Sequence, residues 1–160
     1  MQIRRSGFIK HILIFTICLI GLFLIYFKTS ILHNNRDNSL GSVTLSGNSI
    51  NIEVADTDET RSRGLSGRNY LRSDEGMLFI FNKPGKYYFW MKEMLFPLDF
   101  VWINGNHVVD LTENVNSPDT DKFIELPSFT SRFPFDKVLE INAGMIRKSN
   151  IKINDLVEYK

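Results

Sequence analysis

Apolar and polar residues alternate in Val43-Thr44-Leu45 and again in Ile50-Asn51-Ile52-Glu53-Val54, on either side of Gly47-Asn48. A period of two interrupted by turn-forming residues predicts a β-hairpin with one wetted face. Asp56 stands three residues before Glu59, a capping-box-like start for a short helix in which Glu59 and Arg63 pair at i, i+4, with Gly64 and Gly67 ending it. The apolar run Gly76 to Phe81 is bounded by charge on one side and by Asn82-Lys83-Pro84-Gly85 on the other, which predicts a buried strand followed by a turn. Tyr87 to Met91 predicts a further strand with aromatic residues on both faces. Asn104-Gly105, between Phe100 to Ile103 and Val108 to Leu111, is the strongest hairpin signal in the chain. Residues 114 to 136 hold three of the five prolines and read as a long excursion, with a short extended piece at 123 to 126. Val138 to Ile141 is another strand, Asn142-Ala143-Gly144 turns into one helical turn, and Leu156-Val157-Glu158 closes the pattern. Seven or so short strands with at most two short helices predict a mainly antiparallel β sandwich or barrel.

The first 40 residues follow a different rule. From His11 to Phe27 there is no Asp, Glu, Lys or Arg, a run of 17 residues, and the segment extends to 20 when Phe8, Ile9 and Lys10 are included. As a helix this spans about 26 to 30 Å, close to the thickness of a bilayer core. Arg4, Arg5 and Lys10 precede the apolar core and Lys28 follows it, a bias that puts the N-terminus in the cytoplasm and the C-terminal part outside. The expected organisation is a basic tail at 1–7, a transmembrane signal anchor at 8–27, a polar linker at 28–40 and an extracytoplasmic β domain at 41–160, located at the cell membrane as a single-pass protein. A cleaved signal peptide is the competing reading, but Ile25, Tyr26 and Phe27 offer no small-residue exit site.

Composition matters only after this division. The chain has 160 residues, a net charge of +1 and one cysteine. Residues 1–40 carry five basic side chains and one acid, net +4, and residues 41–160 carry 14 basic and 17 acidic side chains, net −3. A mildly acidic domain lacks the dense basic surface of a nonspecific nucleic-acid binder, so no nucleic-acid partner is expected. Cys18 lies in the apolar segment, which leaves the β domain without a disulfide framework or a cysteine-ligated metal site. His107 is the only histidine after residue 40, so neither a multi-histidine metal site nor a Cys-His dyad can be built there. No metal site or cofactor is expected. Gly64-Leu65-Ser66-Gly67-Arg68 has Arg68 where a nucleophile elbow needs its second glycine.

Two constellations remain. Phe89-Trp90-Met91-Lys92 is followed seven residues later by Asp99, so Lys92 and Asp99 can meet at the common end of two neighbouring strands. The bland reading is a salt bridge closing a loop over a core tryptophan. The functional one is a pocket with Trp90 as a stacking wall and Lys92 and Asp99 as polar anchors. Arg61, Arg63, Arg68 and Arg72 lie among five acids and read mostly as a mutually paired surface, from which Arg63 or Arg68 can turn inward to hold an anionic group. Asn142 caps the following helical turn or contacts a ligand. Carboxylate pairs such as Asp99 with Glu113 or Asp110 allow a glycosidase-like mechanism if they converge.

The ordered set Val54-Ala55-Asp56-Thr57, Glu59, Arg61, Arg63-Gly64-Leu65, Arg68, Leu71, Glu75 to Phe79, Phe89 to Lys92, Pro97-Leu98-Asp99 and Glu140 to Gly144 resembles the DUF192 family, also called UPF0127 or uncharacterized ACR. The resemblance spans about residues 43 to 158. It implies a compact, mostly β domain of jelly-roll-like type, commonly exported or tethered behind an apolar segment, and it implies no established biochemical activity. Many members carry a cysteine in the region of residues 116 to 126, where this chain has none.

The expected function is that of a binding or accessory module for a small polar or saccharide-like ligand or envelope component, with Arg63, Arg68, Trp90, Lys92, Asp99 and Asn142 as candidate ligand-binding residues. The alternatives are an envelope carbohydrate-active enzyme (lyase, isomerase or hydrolase) using a carboxylate pair and Lys92, and a structural envelope protein that binds other proteins.

Overall fold

The computed structural model describes residues 19–21, 39–118 and 126–160. Residues 19–21 are helical. The remainder of the expected anchor at 8–27, the linker up to residue 38 and the extended piece at 123 to 125 lie outside the described residues. Among the described residues no helix is long and apolar enough to cross a membrane.

Residues 38–160 form one compact unit. Its strands are β1 (Ser39–Leu45), β2 (Asn48–Ala55), β3 (Glu75–Gly85), β4 (Phe89–Trp90), β5 (Leu98–Asn104), β6 (His107–Val115), β7 (Ser128–Phe129), β8 (Phe135–Asn142) and β9 (Val157–Tyr159). Two short helices join them, α1 (Asp58–Arg63) and α2 (Met145–Lys148). The fold is mainly β, as expected. Seven strands form one curled sheet in the order β6-β5-β8-β3-β2-β1-β9, and β4 pairs with β7 in a separate two-stranded sheet. The edges of the large sheet meet at one end, where the Val108 amide donates to Asp155 O at 3.0 Å and the Val157 amide to Asn106 O at 2.8 Å. This is a half-barrel built from one sheet, where the pattern of strands left a sandwich equally open.

One pair departs from the antiparallel expectation: β2 and β3 run parallel, with Glu53 opposite Met77 and Ala55 opposite Phe79. A parallel pair needs a crossover, and α1 with residues 64–74 supplies it. The helix begins one residue later than expected. Thr57 is its N-cap, accepting from the Thr60 amide, while the Thr60 hydroxyl accepts from the Thr57 amide. Gly64 ends it at φ +49°, and a Cβ there would stand 3.2 Å from the Phe79 ring. The hairpin turns are also displaced by one residue. Ser46 and Gly47 form the first, both at positive φ, and Gly105-Asn106 the second.

Strand β5 explains how the sheet is buried on both faces. All its residues from Leu98 to Ile103 are buried. Phe100 and Trp102 point to one apolar cluster, with Met77, Phe79, Phe135 and Val138, while Val101 and Ile103 point to the other, inside the curl, with Leu45, Leu78, Leu139 and Ile146. Two covered faces require a near-continuous apolar run, and the central strands have one. The first cluster underlies the site. Its aromatic residues pack edge to face, Phe79 on Phe89 at 5.1 Å and Phe89 on Trp102 at 5.5 Å between ring centres.

Candidate functional site

A cleft of about 330 Å³ opens over the first cluster. One wall is α1 and the turn after it, through Asp58, Arg61, Ser62, Arg63 and Ser66; the other is the stretch Tyr87 to Trp90 with Met94. Phe79, Phe81 and Leu98 line it together with Glu140 of β8. Phe81 and Tyr87 stack face to face with ring centres 3.7 Å apart and pack against the same apolar cluster. The turn after α1 is fixed to the turn after β4: the Ser66 hydroxyl donates to Lys92 O and the Gly67 amide to Glu93 O, each at 2.9 Å. These contacts hold the two walls at a set separation.

The charges of α1 are balanced within the helix. Arg61 donates to Asp56 O, to Ile80 O at 2.8 Å and to Asp58 at 2.6 Å, and its guanidinium lies over Phe81. Arg63 pairs with Glu59 at 3.1 Å. Glu140 differs from all of these. It is 5% exposed, no hydrogen bond or ion pair from a described residue reaches its carboxyl, and burial alone pushes its pKa up from 4.5 to about 8. It stands in the row Glu53, Met77, Glu140, Phe100 across β2, β3, β8 and β5, so its immediate cross-strand neighbours are apolar.

Of the six residues singled out in the sequence, Arg63 and Trp90 line the cleft, and Trp90 is 57% exposed. The other four lie elsewhere. Lys92 is exposed and lies 3.9 Å from Glu93. Asp99 is fully buried on the opposite face of β5, where it accepts from the Asn114 amide at 2.8 Å and the Ile146 amide at 2.9 Å. The expected Lys92–Asp99 contact therefore does not form: β4 pairs with β7 and is no neighbour of β5, Lys92 lies in the turn after β4, and period-two alternation points Asp99 to the other face of β5. Arg68 makes a two-pronged pair with Glu53, Nη2 to Oε2 at 2.7 Å, which holds the Glu53 carboxyl below its ordinary range. Asn142 donates to Leu71 O and Arg72 O, both at 3.0 Å, and so ties the crossover to β8; the N-cap of α2 is Gly144.

The carboxylates considered for two-acid chemistry are each engaged. Asp99 holds two backbone amides, Asp110 is bonded to Arg132 at 2.7 Å, and Glu113 is bonded to Arg147 at 2.6 Å. Among the described residues no group of three or more His, Cys, Asp or Glu is placed to hold a metal ion.

Glu140 is the principal residue that the reading of the sequence passed over. Its signal is a lone carboxylate in the apolar run Val138-Leu139-Glu140-Ile141, on the same side of the strand as Val138 and Asn142.

Comparison with known proteins adds a family without an activity. The family model DUF192, described as uncharacterized ACR, matches residues 41–159. A crystal structure of a protein of unknown function from Novosphingobium aromaticivorans DSM 12444 is 31% identical, with a TM-score of 0.66 over 73% of this chain and 83% of that one. A crystal structure of a proposed transcription regulator from Sinorhizobium meliloti 1021 is 28% identical, with a TM-score of 0.66 over 75% of this chain and 94% of that one. No curated protein sequence matches the chain.

Proposed function

The chain belongs to the DUF192 family of uncharacterized ACR proteins, and from that premise we propose that its β domain is a binding module for a small saccharide-like ligand, taken up in the cleft between α1 and Trp90. The observation that carries this reading is that a half-exposed Trp90 and a buried Glu140, without a bonded partner among the described residues, line one cleft. An aromatic face beside polar groups suits a ring that is apolar on its C–H face and polar at its edge. Tyr88 is a second exposed ring on the same wall, and Ser62 and Arg63 add polar groups on the opposite one. A volume of about 330 Å³ is at the low end for ligand sites and fits one or two sugar rings. The finer form of the fold, a jelly-roll-like arrangement, belongs to the same proposal, as does placement outside the cytoplasm behind an anchor at 8–27, whose support is the run of uncharged residues flanked by Arg4, Arg5 and Lys10.

A binding module is favoured over an enzyme because Asp99, Asp110 and Glu113, the acids weighed for a carboxylate pair, are all held by other groups. The test is calorimetry of the full chain in mild detergent with glucose, glucosamine and N-acetylglucosamine, repeated on Trp90→Ala. Binding that falls at least tenfold in the variant supports the reading. Equal binding by both proteins, or none to either, removes it.

A further inference from the structure

The chemistry of the cleft floor narrows the ligand class. Glu140 is a carboxyl group nine-tenths buried, lining a cavity, with apolar neighbours Met77 and Phe100 beside it in the sheet and no bonded partner among the described residues. Such a group is costly to bury unless something satisfies it, and a ligand group can do so. We propose that the cleft takes an amino-substituted saccharide, its ammonium seated on the Glu140 carboxylate and its ring stacked on Trp90; this rests on the saccharide-binding reading above.

The charge balance around the floor favours a cation over an anion. Asp58, Arg61 and Arg63 of α1 face the cleft, and each is matched by an opposite charge of the same helix. Tyr87 and Tyr88 are the titratable groups of the facing wall. On β2, Glu53 is matched by Arg68, and on β3, Glu75 lies 3.4 Å from Arg72. Glu140 is thus the ionisable group of the cleft left uncompensated by the described residues. The exposed ring of Trp90 adds to the attraction, since its face carries the negative side of its quadrupole, whereas Phe81 is already covered by Tyr87 and the Arg61 guanidinium. An uncharged sugar would use Glu140 differently, as a protonated donor to a hydroxyl or ring oxygen.

These two uses of one carboxyl leave opposite signatures. Burial keeps Glu140 protonated at neutral pH, so docking an ammonium forms the ion pair and sends the carboxyl proton to solvent. Binding then tightens by roughly tenfold per pH unit while both partners hold their protons when free. A neutral sugar instead binds the protonated form and releases nothing.

The experiment is titration calorimetry of the full chain with glucosamine and with glucose, at about pH 6 and about pH 7, in two buffers of different ionisation enthalpy, which yields the proton count. The expected result is release of close to one proton with glucosamine, a roughly tenfold gain across that pH unit, weaker binding of glucose, and loss of all three differences in Glu140→Gln. Equal binding of the two sugars without proton release overturns the amine assignment and leaves the saccharide cleft standing. Failure of both sugars to bind overturns the cleft reading and this inference with it. Glucosamine binding that survives unchanged in Glu140→Gln overturns the role of Glu140. The thermal midpoint of the variant, expected at or above that of the parent chain, shows that it folds.

Discussion

Asp99 accepts hydrogen bonds from the backbone amides of Asn114 and Ile146, at 2.8 and 2.9 Å, with its side chain wholly removed from solvent. One carboxylate thereby ties β5 to the end of β6, where Asn114 sits at φ +56°, and to the first turn of α2. Its charge is spent on the backbone.

Removing that carboxylate leaves two buried N–H groups without acceptors, each costing about 1 to 3 kcal/mol. Asp99→Ala is expected to lose about 3 kcal/mol of stability, measured by urea unfolding. Glucosamine affinity of the fraction that remains folded is expected to be unchanged, because Asp99 faces the core inside the curl. An affinity loss of tenfold or more would place Asp99 in the binding site after all.

The two tryptophans make a contrasting pair. Trp102 is fully buried, and its indole N–H donates to Thr112 at 2.9 Å, whereas Trp90 is 57% exposed. Trp102→Ala is expected to cost about 3 to 5 kcal/mol, and Trp90→Ala no more than about 0.5 kcal/mol. Differential unfolding of the two variants checks this. A large stability loss at Trp90 would mean that its ring is a structural lid over the core, with no surface left for a ligand.

The Arg68–Glu53 pair predicts a modest acid sensitivity. The Arg68 hydrogen bond, opposed by burial and helped by the charge of Arg68, sets the folded pKa of Glu53 below the unfolded value of 4.5. The pair's contribution is therefore complete above about 4.5 and disappears as pH falls through the lower folded value. Both side chains are more than a third exposed, which limits the effect to about 1 kcal/mol or less. A double-mutant cycle with Glu53→Gln and Arg68→Gln, run at about pH 7 and about pH 3, is expected to show larger coupling at the higher pH. Coupling of equal size at both would rule out the ionic part of the account.

Glu140 predicts the opposite slope. Its folded pKa lies above the unfolded one, so between about 4.5 and about 8 the folded chain holds a proton that the unfolded chain has lost. Stability from this group accordingly falls as pH rises through that window and levels off above it. Glu140→Gln is expected to gain stability relative to the parent chain as pH rises, near zero at about pH 4 and on the order of a few kcal/mol at about pH 8, by denaturant unfolding at each pH. A pH-independent difference would mean that the carboxyl is solvated or paired.

Much of the architecture was legible in residues 41–160 because strands announce themselves locally. Alternation located both hairpins and the apolar run at 76–81 located β3, although the turns and the helix cap came out one residue away from Ser46-Gly47, Gly105-Asn106 and Thr57. Such offsets arise because several adjacent residues could make each turn or cap, and tertiary pairing selects among them. The parallel register of β2 on β3 was not legible, since the order of strands in a sheet is a long-range property. At the site, Trp90 and Arg63 were found by residue type and local density of charge. Lys92 and Asp99 were joined by their nearness in sequence, but Lys92 lies in the turn after β4, which pairs with β7 and not with β5, and Asp99 faces the core inside the curl. Glu140 was passed over for the converse reason. It is isolated in sequence among Val138, Leu139 and Ile141, and only the pairing of β8 between β3 and β5 brings it beneath the aromatic wall.

The central claim is that Glu140 is a buried acid, uncompensated by the described residues, at the floor of a ligand cleft, and its side-chain carboxyl can be observed directly. Carbon-detected NMR of the 13C-labelled chain, assigned with Glu140→Gln and followed across pH, reads its titration. The expected midpoint is about 8 in the free protein, moving to lower pH when glucosamine is added and staying in place with glucose. A midpoint near 4.5, the value of an ordinary glutamate, with no response to glucosamine, would contradict the account.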